Sequence, residues 1–479
     1  MTHDAPATAQ VSDVVLGARL RKIPHIGSNS YLVALAAWQR GLQVSFHYSF
    51  AHQEARFRHL PVSGERGELL VIRHGKRRHA FHRGLGDRID AAASRLTRHK
   101  PATLATWQAA GLPTPQGVVV APGERQAAEA LLEQGGNCFV LKPLDGSLGA
   151  GVEGRLTQAQ VLSRLSTLDQ PMLLEPFIQG TEYRVYVVDG QVVSAYIRRP
   201  ACVVGDGQHS IAALVEHKAA LRRQHRYYRQ EPFALDAATS DHLRAQGWRV
   251  DAVPRAGEVV FLSDIPSLHH GGDFIDGMPT LSPTARATAE QAATELGVVF
   301  AGIDLIETAP AASGGMARAV LLEANVNPLL ELSALPMPGV FDTGHNRVAE
   351  ALIDAYFPDS RGYPRLTAAS FDMLPICDAL SHGQLDHVTL PTLGRDWCHR
   401  RSVLPAAKAD EAQVQQLGQQ LRQQGVHASW IRRQTGDVLA DMLMPSAVWP
   451  RIKALFPDWA RHLAPSDPPA RAAQQDATR

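Results

Sequence analysis

The chain has 479 residues, enough for roughly three domains at about 150 residues each. Its composition, 45% apolar and 20% charged, is that of a globular protein, and 48 basic against 47 acidic residues give a net charge of +1, so no global field points to nucleic acid or to a membrane. The longest apolar run, Tyr31 to Trp38, is far short of the ~20 residues that cross a bilayer, the first 20 residues lack the basic start and apolar run of a signal peptide, and the four cysteines are scattered without a CxxC pair. A cytoplasmic enzyme without a disulfide framework or zinc ribbon is the expectation.

Residues 1–20 are polar and Ala-rich, and 465–479 are rich in Pro, Ala and Gln; both ends read as disordered. Residues 21–99 suggest a small α/β module. Ser28 to Arg40 reads as a helix ended by Gly41, LQVSFHY as a strand, and LLVIRH with RRHAFH as a hairpin across Gly75 and Lys76. From Arg73 to Lys100 nine Lys/Arg stand against two Asp. Such a run is either a solvated surface or a rim facing an anionic ligand.

The middle of the chain alternates strand-like segments (CFVLKP, PMLLEPFI, EYRVYVV, QVVSAYI, VVFAGIDLIE, ARAVLLEANV) with helical ones at Lys100–Ala110, Glu124–Gln134, Thr157–Leu168, Ile211–Gln224 and Pro283–Leu296. Asp189-Gly190 between two of the strands predicts a hairpin. The mixture implies an α+β core. From 366 to 464 the order βαββα (DWCHRRSVL, a Gln-rich helix from Glu411 to Gln424, HASWIRRQ, VLADMLM, a helix to Leu455) suits a small α+β appendage of ferredoxin-like type.

Four motifs carry chemistry. In FVLKPLDGSLGAGV a strand delivers Lys142 to a turn holding Gly146, Ser147, Gly149 and Gly151. Glycines let backbone N–H groups approach an anion, and a lysine adds a point charge. It is neither a P-loop nor a GxGxxG fingerprint. In LLEPFIQGTEYRV, Glu175 and Glu182 flank a bend and are able to hold the amino and hydroxyl groups of a nucleoside, or they are exposed acids at strand ends. In LLEANVN, Glu323, Asn325 and Asn327 share one strand face, and Asp304 of GIDLIE sits in another apolar strand. Oxygen-only donors suit a hard cation such as Mg²⁺; the alternative is a buried salt bridge to an arginine. In SAYIRRPACVVGDGQHSI only one of Arg198 and Arg199 is able to face a cleft, where it would clamp a carboxylate or phosphoryl group, and His209 follows a DG turn.

The order of these motifs, from HKPATLATWQAAGLPTP through EPFIQGTEYRVYVVDGQVVSAYIRRPACVVGDGQHSI and VVFLSDIPSLHHGGDFID to LLEANVNP, resembles ATP-grasp carboxylate–amine ligases, above all the ATP-grasp module of cyanophycin synthetase and of the bifunctional glutathione-synthesising enzymes. The resemblance implies an ATP-grasp domain over 100–360. Lys100 and Lys142 would contact the ATP phosphates, with the loop Gly146–Gly151 closing over them. Glu175 and the backbone of Phe177 would meet adenine, and Glu182 the ribose. Asp304, Glu323 and Asn325 would ligate Mg²⁺ or Mn²⁺, and Arg184 and Arg198 would stabilise the transferring phosphoryl group or the substrate carboxylate. The implied reaction joins the carboxylate of an amino acid or small peptide to an amine through an acyl phosphate, releasing ADP and phosphate. The implied partners are these small molecules, without nucleic acid or membrane, and the chain is compatible with a homo-oligomer. Alternatives are modification of a protein or ribosomal peptide, and ATP binding without turnover.

Overall fold

The computed structural model describes residues 28–49, 60, 67–455 and 463–464, with breaks at 135–137, 146–150, 225–227, 229–232, 264, 267–269, 310–316, 332–345, 364, 366–370, 372, 382–384, 394–396, 406–409 and 433–437. The described residues form two compact units. One is drawn from residues before 84 and after 355, the other from 84–355 with Leu60. Among the described residues no helix is long and apolar enough to cross a membrane, and none of the four cysteines is in a disulfide.

In the first unit the helix Ser28–Trp38 is apolar all round and buried on every side. It stops two residues short of the predicted Arg40. Gly41 then takes a left-handed φ of +76°, in a place where a Cβ would come within 2.8 Å of the Leu393 carbonyl oxygen. The predicted hairpin is present: Leu69–His74 pairs with Arg77–His82, and His74 faces Arg77 across the two-residue turn. Gln43–His47 pairs with Leu69–His74 on one side and with His387–Thr389 on the other. That last strand went unforeseen, and it draws part of the 366–464 segment into the N-terminal sheet.

The remainder of that segment forms a second antiparallel sheet. In chain order its strands are Trp397–Leu404, His427–Arg432, Val438–Pro445 and Leu463–Ala464, with helices Glu411–Gln423 and Trp449–Leu455 between them. The spatial order is second, third, first, fourth, with every pairing antiparallel. This is the βαββαβ arrangement expected of a ferredoxin-like fold. Leu404, Leu421, Val438, Met442 and Ile452 lie in its core.

The second unit contains two larger antiparallel sheets. The smaller runs Val118–Val120, Met172–Pro176, Phe139–Pro143, Glu153–Leu156 in spatial order. Helices Gln126–Glu133 and Gln158–Leu165 bury Leu131 and Val161 against its Phe139 and Leu174. The second helix starts at a capping box, Thr157 with Gln160, as a Thr-x-x-Gln sequence dictates. The larger sheet runs Asp273–Asp276, Gln191–Arg199, Thr181–Val188, Phe300–Glu307, Ala319–Asn325. Asp189 and Gly190, at φ +50° and +75°, make the predicted tight turn between its second and third strands. The helix Pro283–Glu295 lies on this sheet through Ala285, Ala289, Ala292 and Ala293, whose small side chains permit close approach. Trp107, on the helix Lys100–Ala109, donates from Nε1 to the Ala292 carbonyl at 3.0 Å and fixes the first helix to the second.

Candidate functional site

The larger sheet lines up charged side chains by register alone. Tyr196, Arg184, Asp304 and Glu323 are successive cross-strand neighbours on four adjacent strands. Directly opposite residues share a face, so this row projects from one side of the sheet. Two residues further along, Glu182 shares the Arg184 face and meets Arg198 from the neighbouring strand. Pairing slips between Asp304 and Leu305, where Leu322 is the extra residue, and this bulge sets the direction of Glu323.

The contacts within the row are close. Arg184 grips Asp304 with two parallel bonds, Nε to Oδ1 and Nη2 to Oδ2, the latter 2.8 Å. Arg198 donates from Nη1 to Glu182 at 2.8 Å, and its Nη2 lies 3.1 Å from Asp304 Oδ2. Glu323 Oε1 lies 3.8 Å from Arg184 Nη2, and Glu323 Oε2 lies 4.0 Å from Lys100 Nζ. Asn325 donates from Nδ2 to Glu323 Oε1 at 3.3 Å. Gly302 makes room for this assembly: a Cβ there would sit 2.9 Å from Arg184 Cδ and 3.0 Å from Pro328 Cβ.

Burial raises the pKa of Asp304, but Arg184 and Arg198 outweigh it and hold the carboxyl down at about 2. Glu323 moves the other way. Burial raises it, and the Asp304 charge adds to the rise. Glu182 is likewise raised by burial, against the pull of Arg198.

The smaller sheet contributes a second cluster. Lys142 and Glu175 project from neighbouring strands and meet at 2.6 Å, both buried. Burial raises Glu175, with the Lys142 charge opposing, and Lys100 also acts on it. Lys100 therefore lies between this pair and Glu323. Glu175 Oε1 is buried and accepts no hydrogen bond from any described residue. Gly117 holds that carboxylate's place, since a Cβ there would sit 2.7 Å from Glu175 Cγ.

Eight of the predicted residues, Lys100, Lys142, Glu175, Glu182, Arg184, Arg198, Asp304 and Glu323, are thus joined into a continuous network of charges, with Asn325 on Glu323. Three of the positions where the resemblance implies ligand contacts have partners within the chain. Asp304, expected as a metal ligand, has both oxygens on arginines, the salt bridge weighed as the alternative. Glu182, expected at a ribose, is paired with Arg198. Phe177, whose backbone is expected beside adenine, donates its N–H to the Cys138 carbonyl at 2.9 Å, because it extends the pairing of Met172–Pro176 with Phe139–Pro143. Asn327 accepts from the Gly84 N–H at 3.1 Å. His209 closes an exposed Asp206 turn, its Nδ1 2.6 Å from Asp206 Oδ2. Gly146, Ser147 and Gly149 lie outside the described residues, while Gly151 has a φ of +71°. Tyr196, Gly302 and Gly117 were missed, because only strand register shows what they adjoin.

The carboxamide oxygen of Asn325 and the carboxylate of Glu323 are the oxygen donors that a hard cation takes. Asp304, beside them, already accepts from both arginines. Among the described residues no group of three or more His, Cys, Asp or Glu is placed to hold a metal ion.

No protein-family model matches the chain. Cyanophycin synthetase of Geminocystis herdmanii (strain PCC 6308) is 27% identical over 326 residues, 64% of this chain and 36% of that protein. The glutathione biosynthesis bifunctional protein GshAB of Enterococcus faecalis (strain ATCC 700802 / V583) is 28% identical over 291 residues, 58% of this chain and 38% of that one. The chain thus spans little more than a third of the length of these curated relatives. Among solved structures, a bifunctional glutathione synthetase from Pasteurella multocida aligns with a TM-score of 0.47 at 24% identity, covering 61% of this chain and 40% of that one. Over more than half its length the chain is therefore a sequence relative of cyanophycin synthetase and of the bifunctional glutathione-synthesising proteins, and it resembles the ATP-grasp ligases.

Proposed function

We propose that residues 100–360 form an ATP-grasp catalytic domain that joins a carboxylate to an amine at the expense of ATP. The observation that carries this reading is the convergence of Lys100, Arg184 and Arg198 on one carboxylate row, with the Lys142–Glu175 pair beside Lys100. Positioned cations of this kind are what phosphoryl transfer needs, because its catalysis is mostly positioning and charge stabilisation.

In the first step a substrate carboxylate oxygen attacks the γ-phosphorus of ATP, and the bond to the β,γ-bridging oxygen breaks, giving an acyl phosphate and ADP. In the second an amine attacks the acyl carbon, phosphate leaves, and the amine loses a proton. Lys142 and Lys100 turn toward the nucleotide phosphates, and Arg184 and Arg198 toward the moving phosphoryl group. Glu175 Oε1, a buried acceptor with no donor among the described residues, suits the exocyclic amino group of adenine. Mg²⁺ or Mn²⁺ would be held by Glu323 and Asn325 and would neutralise phosphate charge. Glu182 would hold the ribose hydroxyls beside Arg198, which takes its Oε1. The relatives' names support amino acids or small peptides as substrates. The test is ADP and phosphate release from MgATP across a panel of amino-acid pairs, with mass spectrometry of the products. A pair-dependent condensed product is expected; ATP binding with no substrate-dependent ADP release would refute the ligase reading.

A further inference from the structure

Arg198 and Arg199 leave the same strand on opposite faces, and only Arg198 belongs to the row above. On the other face Arg199 stands directly opposite Asp273. Asp273 is fully buried and already matched: Lys218 Nζ donates to its Oδ2 at 2.5 Å and Arg222 Nη1 to its Oδ1 at 3.1 Å. Arg199 approaches no nearer than 3.7 Å, beyond hydrogen-bonding range, and toward the oxygen that Lys218 holds. Its Nε is buried and donates to no described residue, yet a quarter of the side chain, 25%, is open to solvent. A buried guanidinium N–H without an acceptor is costly, and two like charges sharing one carboxylate oxygen repel.

We propose that Arg199, with Lys218 behind it, forms a binding site for the carboxylate of a small ligand, distinct from the nucleotide site. Arg199, Lys218 and Arg222 carry three positive charges against the one negative charge of Asp273, so the site takes an anion, and the planar fork of Arg199 matches the two oxygens of a carboxylate. In a ligase such a site would seat the carboxylate of an amino-acid substrate. The binding test below uses no ATP, so it stands or falls apart from the ligase reading.

The experiment titrates the full chain with sodium acetate against chloride at constant ionic strength, reading thermal unfolding. Acetamide serves as the neutral control and inorganic phosphate as the competing anion. Saturable stabilisation by acetate, and none by acetamide, is expected for the wild type. Arg199→Gln should weaken it by about tenfold, the size of one charge-assisted pair. Arg199→Lys, which keeps the charge and loses the fork, should fall between the two and decides the matter if the glutamine variant does not fold. Absence of a saturable acetate effect, a saturable effect of phosphate alone, or equal acetate affinity in wild type and either variant would overturn the proposal.

Discussion

Asp304→Asn separates the structural from the metal-binding role of this carboxylate. In the native protein Asp304 is held at about 2 against an ordinary 3.8, which corresponds to about 2 kcal/mol of stability at neutral pH. Asparagine also leaves the buried Arg184 and the half-buried Arg198 without their shared counter-charge, and breaking a buried pair costs about 3–5 kcal/mol. A loss of that size at pH 7 is therefore expected. The pKa is depressed on folding, so the carboxylate's contribution is complete above the unfolded value and is lost as pH falls toward 2. The gap between wild type and variant should accordingly narrow by about 1 kcal/mol between pH 7 and pH 3. Hydrogen exchange of peptides covering Thr181–Val188 and Phe300–Glu307, followed across urea concentrations, reads this sheet directly. A cost below about 1 kcal/mol at pH 7, with no narrowing in acid, would refute the argument that the arginines define the role of Asp304.

Gly302→Ala should destabilise the chain by about 1–3 kcal/mol, seen as a lower thermal midpoint, because the added methyl meets Arg184 and Pro328. Lys142→Met should leave Glu175 buried without its cation and weaken MgATP binding about tenfold or more by calorimetry; unchanged affinity would remove Lys142 from the nucleotide site. In the first unit, burial, reinforced by positive neighbours, lowers His47 and His82 from 6.5 to about 4. The unfolded chain then takes up the protons, so each costs about 2 kcal/mol between pH 7 and pH 5, and His82→Gln should flatten the acid side of the stability profile.

Much of this architecture is legible in single segments. FVLKP, EYRVYVV and LLEAN declare themselves as strands by apolar and β-branched content, and Asp189-Gly190 fixes the turn between two of them. The charged residues of the site are also visible, since carboxylates inside apolar strands demand partners. Which partner each takes is decided by register between strands far apart in sequence, and no local pattern carries that. Asp304 could meet a metal or an arginine by its sequence; its place opposite Arg184 is what brings the arginine to it. His387–Thr389 escaped notice because three residues, none of them fully buried, are too few for periodicity to register.

The pairing of Ser45 with Thr389 joins residues 344 positions apart, 389 less 45. Closing so large a loop costs about 5 kcal/mol of chain entropy on a logarithmic scale. During synthesis Gln43–His47 emerges early, yet one of its two neighbours leaves the ribosome only after the entire 84–355 unit has been made. Until then the strand presents an unpaired edge, of the sort that invites association with other chains. The order of manufacture thus lets the 84–355 unit fold first and the flanking unit close last, so a truncation before residue 387 should spare the former and leave the latter with an open edge.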